Sequence, residues 1–130
     1  MTAKSRIVAI DAAIAGVLVL LTALSYAAVM NHEFVAIDDP AYVVENEHIH
    51  EGVSLEMLKW AFTTGHADNW HPLTWVSHAI DCQLFGVQPG PHHLVNLGFH
   101  CLNTVLLFIA ICWMTGNRWA SAFVAALFAL

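Results

Sequence analysis

The sequence predicts an all-α membrane protein, the N-terminal part of a polytopic helical bundle with interfacial amphipathic helices in its first outer loop. Three observations predict this class. Of 130 residues, 58% are hydrophobic and 11% are charged, whereas soluble domains are about 45–50% apolar and about 25% charged. Nine of the ten acids lie between Glu33 and Asp81, and apolar runs flank that segment. With four Lys and Arg and no basic stripe, the composition disfavours nucleic-acid binding.

Residues 1–31 are predicted to form a cytoplasmic N-terminus and transmembrane helix 1. The run Ile7–Met30 carries one charge, Asp11, and at about 1.5 Å per residue it can cross a hydrocarbon core of about 30 Å. Asp11 is near the helix start, where its carboxylate is expected to reach headgroup water. A cleaved signal peptide is the alternative, with Ala23-Leu24-Ser25 as the cleavage motif. The apolar run exceeds the usual h-region of about 7–15 residues, which favours an uncleaved anchor.

Two further helices are predicted after the polar loop. Residues 93–114 form transmembrane helix 2, residues 115–118 a cytoplasmic turn, and residues 119–130 a third helix. At about 1.5 Å per residue the third helix reaches about 18 Å, too short to cross. We therefore expect the sequence to stop inside a transmembrane helix.

The few basic residues predict the orientation. Lys4 and Arg6 precede the first helix and Arg118 follows the second. By the positive-inside rule these ends are cytoplasmic. The loop, residues 32–92, is then periplasmic or luminal, and a bacterial inner membrane is the expected location.

The loop is predicted to contain two amphipathic helices that lie on the membrane interface. Ser54 can cap a helix that ends at Thr63. Pro72 suits the first turn of a second helix, and Gly86 suits its end. On the second helix, apolar residues recur at helical spacing along one side, and a mixed set lines the other. The apolar side is Leu73, Val76, Ile80 and Leu84; the other side is Trp75, His78, Asp81 and Cys82.

An acidic pair follows the first apolar run, in the segment Asp38-Asp39-Pro40. Pro40 is expected to hold Asp39 in an extended conformation. Adjacent carboxylates repel each other unless a cation or a polarised hydroxyl lies near. The pair alone, however, is better explained as an ordinary solvated turn.

Histidines give two further patterns. His48-Ile49-His50 lies among glutamates and is better explained as a solvated loop than as a metal site, because it lacks a strict zinc spacing. His93, Asn96, His100 and Asn103 fall on one face of transmembrane helix 2. That stripe is either a set of helix–helix hydrogen bonds or one wall of a catalytic cavity, and the sequence does not separate the two.

Several strings resemble one family in order and spacing. They are FVAIDDPAY from Phe34, WAF from Trp60, NWHPLTWVSH from Asn69, DCQLFG from Asp81 and HHLVN from His92. The sequence resembles the membrane proteins in which tetratricopeptide repeats follow a polytopic glycosyltransferase of the GT-C fold. The animal members of that family resemble the transmembrane and TPR-containing O-mannosyltransferases.

The resemblance implies a GT-C-type hexosyltransferase that moves a sugar from a polyprenyl-phosphate donor to a protein or glycan on the outer face. It implies that Asp38 and Asp39 are catalytic, one as general base, and that the pair helps to hold a divalent metal, Mg²⁺ or Mn²⁺. Trp70, His71, His93, Asn96 and His100 are the expected substrate-binding residues. Membrane lipid, further C-terminal spans and the repeats, absent from these 130 residues, are the expected partners. We expect the chain alone to be inactive.

Two alternatives remain open from the sequence. One is a non-enzymatic membrane assembly module or inactive remnant. It is supported by a face of small residues, which are Ala120, Ser121, Ala122, Ala125 and Ala126. The other is a histidine-rich membrane protein that handles metal ions.

Overall fold

The computed structural model describes the backbone of residues 3–130 and the side chains of residues 8–130. Across this range the chain is helical and contains no strand, which confirms the predicted all-α class. Short 3-10 turns cover Ala27–Asn31 and His66–Asp68. The α-helices in the described range are α1 (Ala3–Tyr26), α2 (Glu47–His50), α3 (Leu55–Thr63), α4 (Pro72–Phe85), α5 (Pro89–Thr115) and α6 (Arg118–Ala129).

The chain divides into two compact units. Met1–Ala28 and Asn96–Leu130 form the bundle unit, and Val29–Val95 form the intervening unit. Two segments, Val8–Asn31 and Pro89–Thr115, are long and apolar enough to cross a membrane. They support the predicted membrane association. The side chains of Lys4 and Arg6, on which the predicted orientation depends, lie outside the described residues.

The bundle unit packs α1 and α6 with the C-terminal part of α5. Leu18, Phe108 and Ala125 form its buried centre. Asn117 caps α6 by accepting a hydrogen bond from the Ala120 amide at 3.1 Å. Arg118 Nε lies 3.4 Å from Asp11 Oδ1, so the α5–α6 turn and the first turns of α1 lie at the same end of the unit.

The structure moves the predicted start of the second long apolar helix and accounts for the face of small residues. The fifth helix begins at Pro89 rather than at residue 93, because prolines are compatible with a first turn whose amides need no partner. The face of small residues is largely used inside the bundle unit. Ser121 and Ala125 are buried, whereas Ala120 is exposed.

The intervening unit has its own core between α2, α3 and α4. Ser54 caps α3 by accepting from the Met57 amide at 3.0 Å, so this helix begins and ends where the sequence predicts. The same holds for α4, which starts at Pro72 and ends before Gly86. The buried core residues are Val43, Ile49, Met57, Ala61, Trp75, Ala79 and Cys82.

The exposed and buried faces of α4 follow from this packing. Trp75 and Cys82 face the core, whereas Leu73 is 75% exposed and Leu84 is 65% exposed. The apolar stripe of α4 therefore faces away from the unit's core. That exposure suits an interfacial position, which stays a prediction.

The acidic pair departs from the predicted extended conformation. Asp39 has φ −56° and ψ −35°, and a π-helical turn follows at Pro40–Val44. The Tyr42 amide donates to the Asp38 carbonyl at 3.0 Å, and the Val35 amide donates to Asp39 Oδ2 at 2.6 Å. These hydrogen bonds offset the steric preference that Pro40 imposes on the residue before it.

Candidate functional site

Three side chains with metal-ligand chemistry converge in the intervening unit. His78 and Asp81 are three residues apart on α4, so they share a face, and His92 lies in the first turn of α5. One ligand atom of each lies within 4.8 Å of the others. Asp81 is 4% exposed and His92 is 2% exposed, and Asp81 Oδ2 lies 3.8 Å from His92 Nδ1. We call these three residues the histidine–aspartate cluster.

Two glycines allow the chain to bring His92 back onto α4. Gly86 has φ +68°, a conformation that ends α4 without a Cβ penalty. Its carbonyl oxygen lies 3.2 Å from His92 Nε2, so this nitrogen carries the proton and donates. At Gly90 a Cβ would lie 2.6 Å from the Met30 carbonyl oxygen, so the approach of these two segments requires glycine.

Burial shifts the pKa values of three side chains on α4. Burial, with smaller contributions from His92 and His71, lowers the pKa of His78 from 6.5 to about 4, while Asp39 acts in the opposite direction. Burial raises the pKa of Asp81, and His92 partly offsets that rise. Burial and the nearby Asp81 raise the pKa of the Cys82 thiol. His78 is therefore a neutral imidazole with a free lone pair at neutral pH.

Three of the predicted site residues lie beside this cluster. Asp39 and His71 are both near enough to His78 to shift its pKa, in opposite directions. The His71 ring packs on Trp75 with centroids 4.6 Å apart. His93 meets the edge of Phe34 at 6.1 Å, and the same Phe34 ring contacts His92 at 5.7 Å.

Four histidine nitrogens in this region have no hydrogen-bond partner among the described residues. All four are buried atoms: His71 Nε2, His78 Nδ1, His92 Nδ1 and His93 Nε2. Buried polar atoms in folded proteins are nearly always paired, because an unpaired one costs about 1–3 kcal/mol. Their concentration in one unit is typical of a site for a polar ligand rather than of a packed core.

An apolar groove adjoins the histidines through His71. It has a volume of about 450 Å³ and is lined by Phe62, Trp70, His71, Pro72, Leu73 and Thr74. The Trp70 indole donates to the Phe62 carbonyl at 3.0 Å, which fixes the ring although it is 68% exposed. The groove is thus lined mainly by apolar side chains and by His71, whose Nε2 is one of the four unpaired histidine nitrogens.

The remaining predicted residues lie elsewhere. Asn96 and His100 belong to the bundle unit. Asn96 is exposed, and His100 packs on Tyr26 at 5.6 Å and lies 3.4 Å from the Ala129 carbonyl oxygen. These contacts favour a helix-packing role for His100. Asp38 is exposed in the turn.

The His48–His50 segment has structural contacts. His48 stacks on Trp60 with centroids 4.5 Å apart, and His50 Nε2 lies 2.7 Å from the Val43 carbonyl oxygen. Both rings therefore contribute to packing around the core of the intervening unit.

The acidic pair is a poor fit to a resident divalent metal. One oxygen of Asp39 accepts from the Val35 amide. In the described residues, three ligand atoms from His, Cys, Asp or Glu converge at the histidine–aspartate cluster. That cluster does not include Asp38 or Asp39.

The histidine–aspartate cluster was not predicted from the sequence. The sequence places His78 and Asp81 on the less apolar side of α4, but no local pattern links them to His92. Two sequence features together could have indicated the cluster. His78 and Asp81 are three residues apart on one helix, and that helix is followed by Gly86 and then by the pair His92-His93.

The chain is thus an all-helical protein with two segments long and apolar enough to cross a membrane and with a histidine-rich site in its intervening unit. Comparison with protein-family models, curated proteins and solved structures found no match to this chain. The glycosyltransferase resemblance thus rests on the sequence strings alone and stays a prediction.

Proposed function

We propose that this chain contributes the lipid-carrier site of a GT-C-type membrane glycosyltransferase, which transfers a sugar from a polyprenyl-phosphate donor to a protein or glycan acceptor. The intervening unit would face the periplasm of a bacterial inner membrane. The observation that carries the proposal is the junction at His71 between an apolar groove and a region of unpaired histidine nitrogens. A polyprenyl phosphate has the same division, an apolar tail joined to an anionic head.

The groove suits the isoprenoid part of such a donor. Its volume of about 450 Å³ is within the usual range of about 300–1,000 Å³ for small-molecule sites. Its walls include Trp70 and Leu73, which are largely exposed. Covering these two side chains with an apolar tail would remove apolar surface from water, and a fully covered residue of this size contributes about 1.5–3 kcal/mol.

The histidines suit the phosphate. The unpaired nitrogens of His71 and His93 are available donors once their tautomers place hydrogen there, and a phosphate oxygen accepts strongly. A phosphate beside the groove would thereby satisfy the His71 nitrogen, which is otherwise unpaired.

Asp38 and Asp39 would have different roles. Asp38 is exposed and can approach an acceptor hydroxyl as general base. Asp39 is held by the Val35 amide and lies near His78, so it would orient the turn and the histidines.

Binding of the carrier tests the proposal. The chain would be synthesised cell-free into lipid nanodiscs and titrated with a polyprenyl phosphate and with the matching polyprenol. We expect tighter binding of the phosphate, and Trp70→Ala should weaken both ligands by about 10-fold or more, consistent with a lost aromatic contact. His71→Gln should reduce the preference for the phosphate.

The control is Leu55→Ala, which changes an apolar side chain that is 87% exposed and does not line the groove. It should bind as wild type. Equal affinity for phosphate and polyprenol, or wild-type affinity in Trp70→Ala, would refute the proposed carrier site.

A further inference from the structure

We propose that His78, Asp81 and His92 bind one divalent transition-metal ion, with zinc the best match, through two imidazole nitrogens and one carboxylate oxygen. The proposal does not depend on glycosyl transfer. It rests on the convergence of one ligand atom from each residue within 4.8 Å and on an unpaired buried nitrogen in each of the two histidines.

The tautomer of His92 directs the correct atom toward the metal. Its Nε2 donates to the Gly86 carbonyl at 3.2 Å, so in the neutral imidazole the lone pair is on Nδ1. That Nδ1 lies 3.8 Å from Asp81 Oδ2, too far for a hydrogen bond. Metal-binding histidines characteristically donate their other ring nitrogen to a backbone carbonyl or a carboxylate, as His92 does here.

The spacing of Asp81 and His92 agrees with a shared ion, and the ligand atom of His78 lies within 4.8 Å of both. Zinc binds histidine nitrogen and carboxylate oxygen at about 2.0–2.2 Å, so two ligands of a tetrahedral site lie roughly 3.2–3.6 Å apart. Asp81 Oδ2 and His92 Nδ1 need to approach by only a few tenths of an ångström from 3.8 Å.

The burial of these groups favours a cation. Asp81 is almost fully buried, and its Oδ2 lies 3.8 Å from His92 Nδ1. One buried nitrogen of His78 and one of His92 have no hydrogen-bond partner among the described residues. One divalent ion would give both imidazoles and the Asp81 carboxylate a partner, whereas leaving buried polar groups unpaired in the protein interior is costly.

The ligand set selects the class of metal. Two imidazoles and one carboxylate suit zinc, iron or manganese, whereas magnesium prefers oxygen ligands. Cys82 Sγ lies 3.9 Å from His92 Nε2, on the opposite edge of the ring from Nδ1, so the thiol is not a ligand. Three protein ligands leave an open position for water or a substrate oxygen.

Metal content and affinity test the site. The 130-residue chain in nanodiscs would be stripped with a chelator and dialysed against Zn²⁺, Mn²⁺ or Mg²⁺, and the bound metal measured by mass spectrometry. Competition with a chromophoric chelator gives the affinity. We expect about one Zn²⁺ per chain, weaker Mn²⁺ binding and no retained Mg²⁺. Co²⁺ substitution should give visible bands without a thiolate charge-transfer band.

Variants locate the ion. His78→Gln and Asp81→Asn should each weaken Zn²⁺ binding by about 100-fold or more, because even outer-shell changes cost about 10–100-fold. His78 Nδ1 has no hydrogen-bond partner, so His78→Gln should fold normally and remains decisive if Asp81→Asn does not fold.

The control is His48→Gln, which alters the other histidine–acid segment and should bind Zn²⁺ as wild type. Absence of stoichiometric Zn²⁺ in the wild-type chain would overturn the proposal. So would unchanged affinity in His78→Gln, loss of the ion in His48→Gln, or a thiolate band that disappears in Cys82→Ser.

Discussion

Acidification is expected to destabilise α4 through His78. Burial lowers the pKa of His78 from 6.5 to about 4, whereas an opened α4 restores its ordinary value. Between these values the opened state binds a proton that the folded state does not. The stabilisation is therefore complete above pH 6.5 and is lost progressively as pH falls toward 4. The charged and titratable groups near His78 are Asp81 and His92, Asp39 and His71.

The size of this effect follows from the shift. The interval from 6.5 to about 4 corresponds to about 3 kcal/mol at most. His78 is only partly buried, and solvent screening reduces the expected change to about 2 kcal/mol. This equals roughly a 30-fold change in the population of the opened state.

Amide hydrogen exchange measures the opening of α4 in chelator-treated chains. Wild type and His78→Gln would be compared at each pH, so that intrinsic exchange rates and the titration of other groups largely cancel. We expect protection in wild type to fall by about 30-fold relative to the variant between pH 7 and pH 4. A pH-independent ratio, or a ratio that changes in the opposite direction, would refute the assignment of a depressed pKa to His78.

Two other predictions concern catalysis and topology. Where sugar transfer is reconstituted with this segment, Asp38→Asn should lower kcat by about 10²–10⁴, whereas Asp39→Asn should also raise KM because it loosens the turn. Glu45→Gln is the control, and wild-type transfer in both Asn variants would show that the pair is only a turn. For topology, Glu47→Cys in a Cys82→Ala background should react with a membrane-impermeant thiol reagent in intact cells. Labelling only after lysis would reverse the predicted orientation.

Helices α3 and α4 of the intervening unit could be predicted because their ends are encoded locally. Ser54 caps α3 through its own side chain, and Pro72 and Gly86 mark the two ends of α4. Each of these signals acts within a few residues, so no knowledge of tertiary structure is needed.

The buried face of α4 was harder to predict because both sides of this helix carry apolar residues. Leu73, Ile80 and Leu84 form the more regular apolar stripe, yet they are exposed, and the core takes Trp75 and Cys82. Periodicity identifies an apolar face but does not tell whether protein or lipid covers it.

The candidate site depended on contacts between distant residues. His92 reaches Asp81 only because the turn after Gly86 returns the chain. The conformation of Asp39 was mispredicted because the preference imposed by Pro40 is outweighed by a hydrogen bond to Val35. Conversely, His71 was predicted from a sequence string and lies where the groove meets the histidines.

Photolabelling with a polyprenyl phosphate whose tail carries a photoreactive group tests the central claim most directly. Mass spectrometry would map the adducts on the chain in nanodiscs. We predict adducts at Trp70 and Leu73 that unlabelled polyprenyl phosphate displaces and polyprenol displaces less well. The bundle unit has an apolar groove of similar volume, about 450 Å³, lined by residues that include Trp119 and Phe123. Adducts confined to that groove, or insensitive to the phosphate, would contradict a carrier site in the intervening unit.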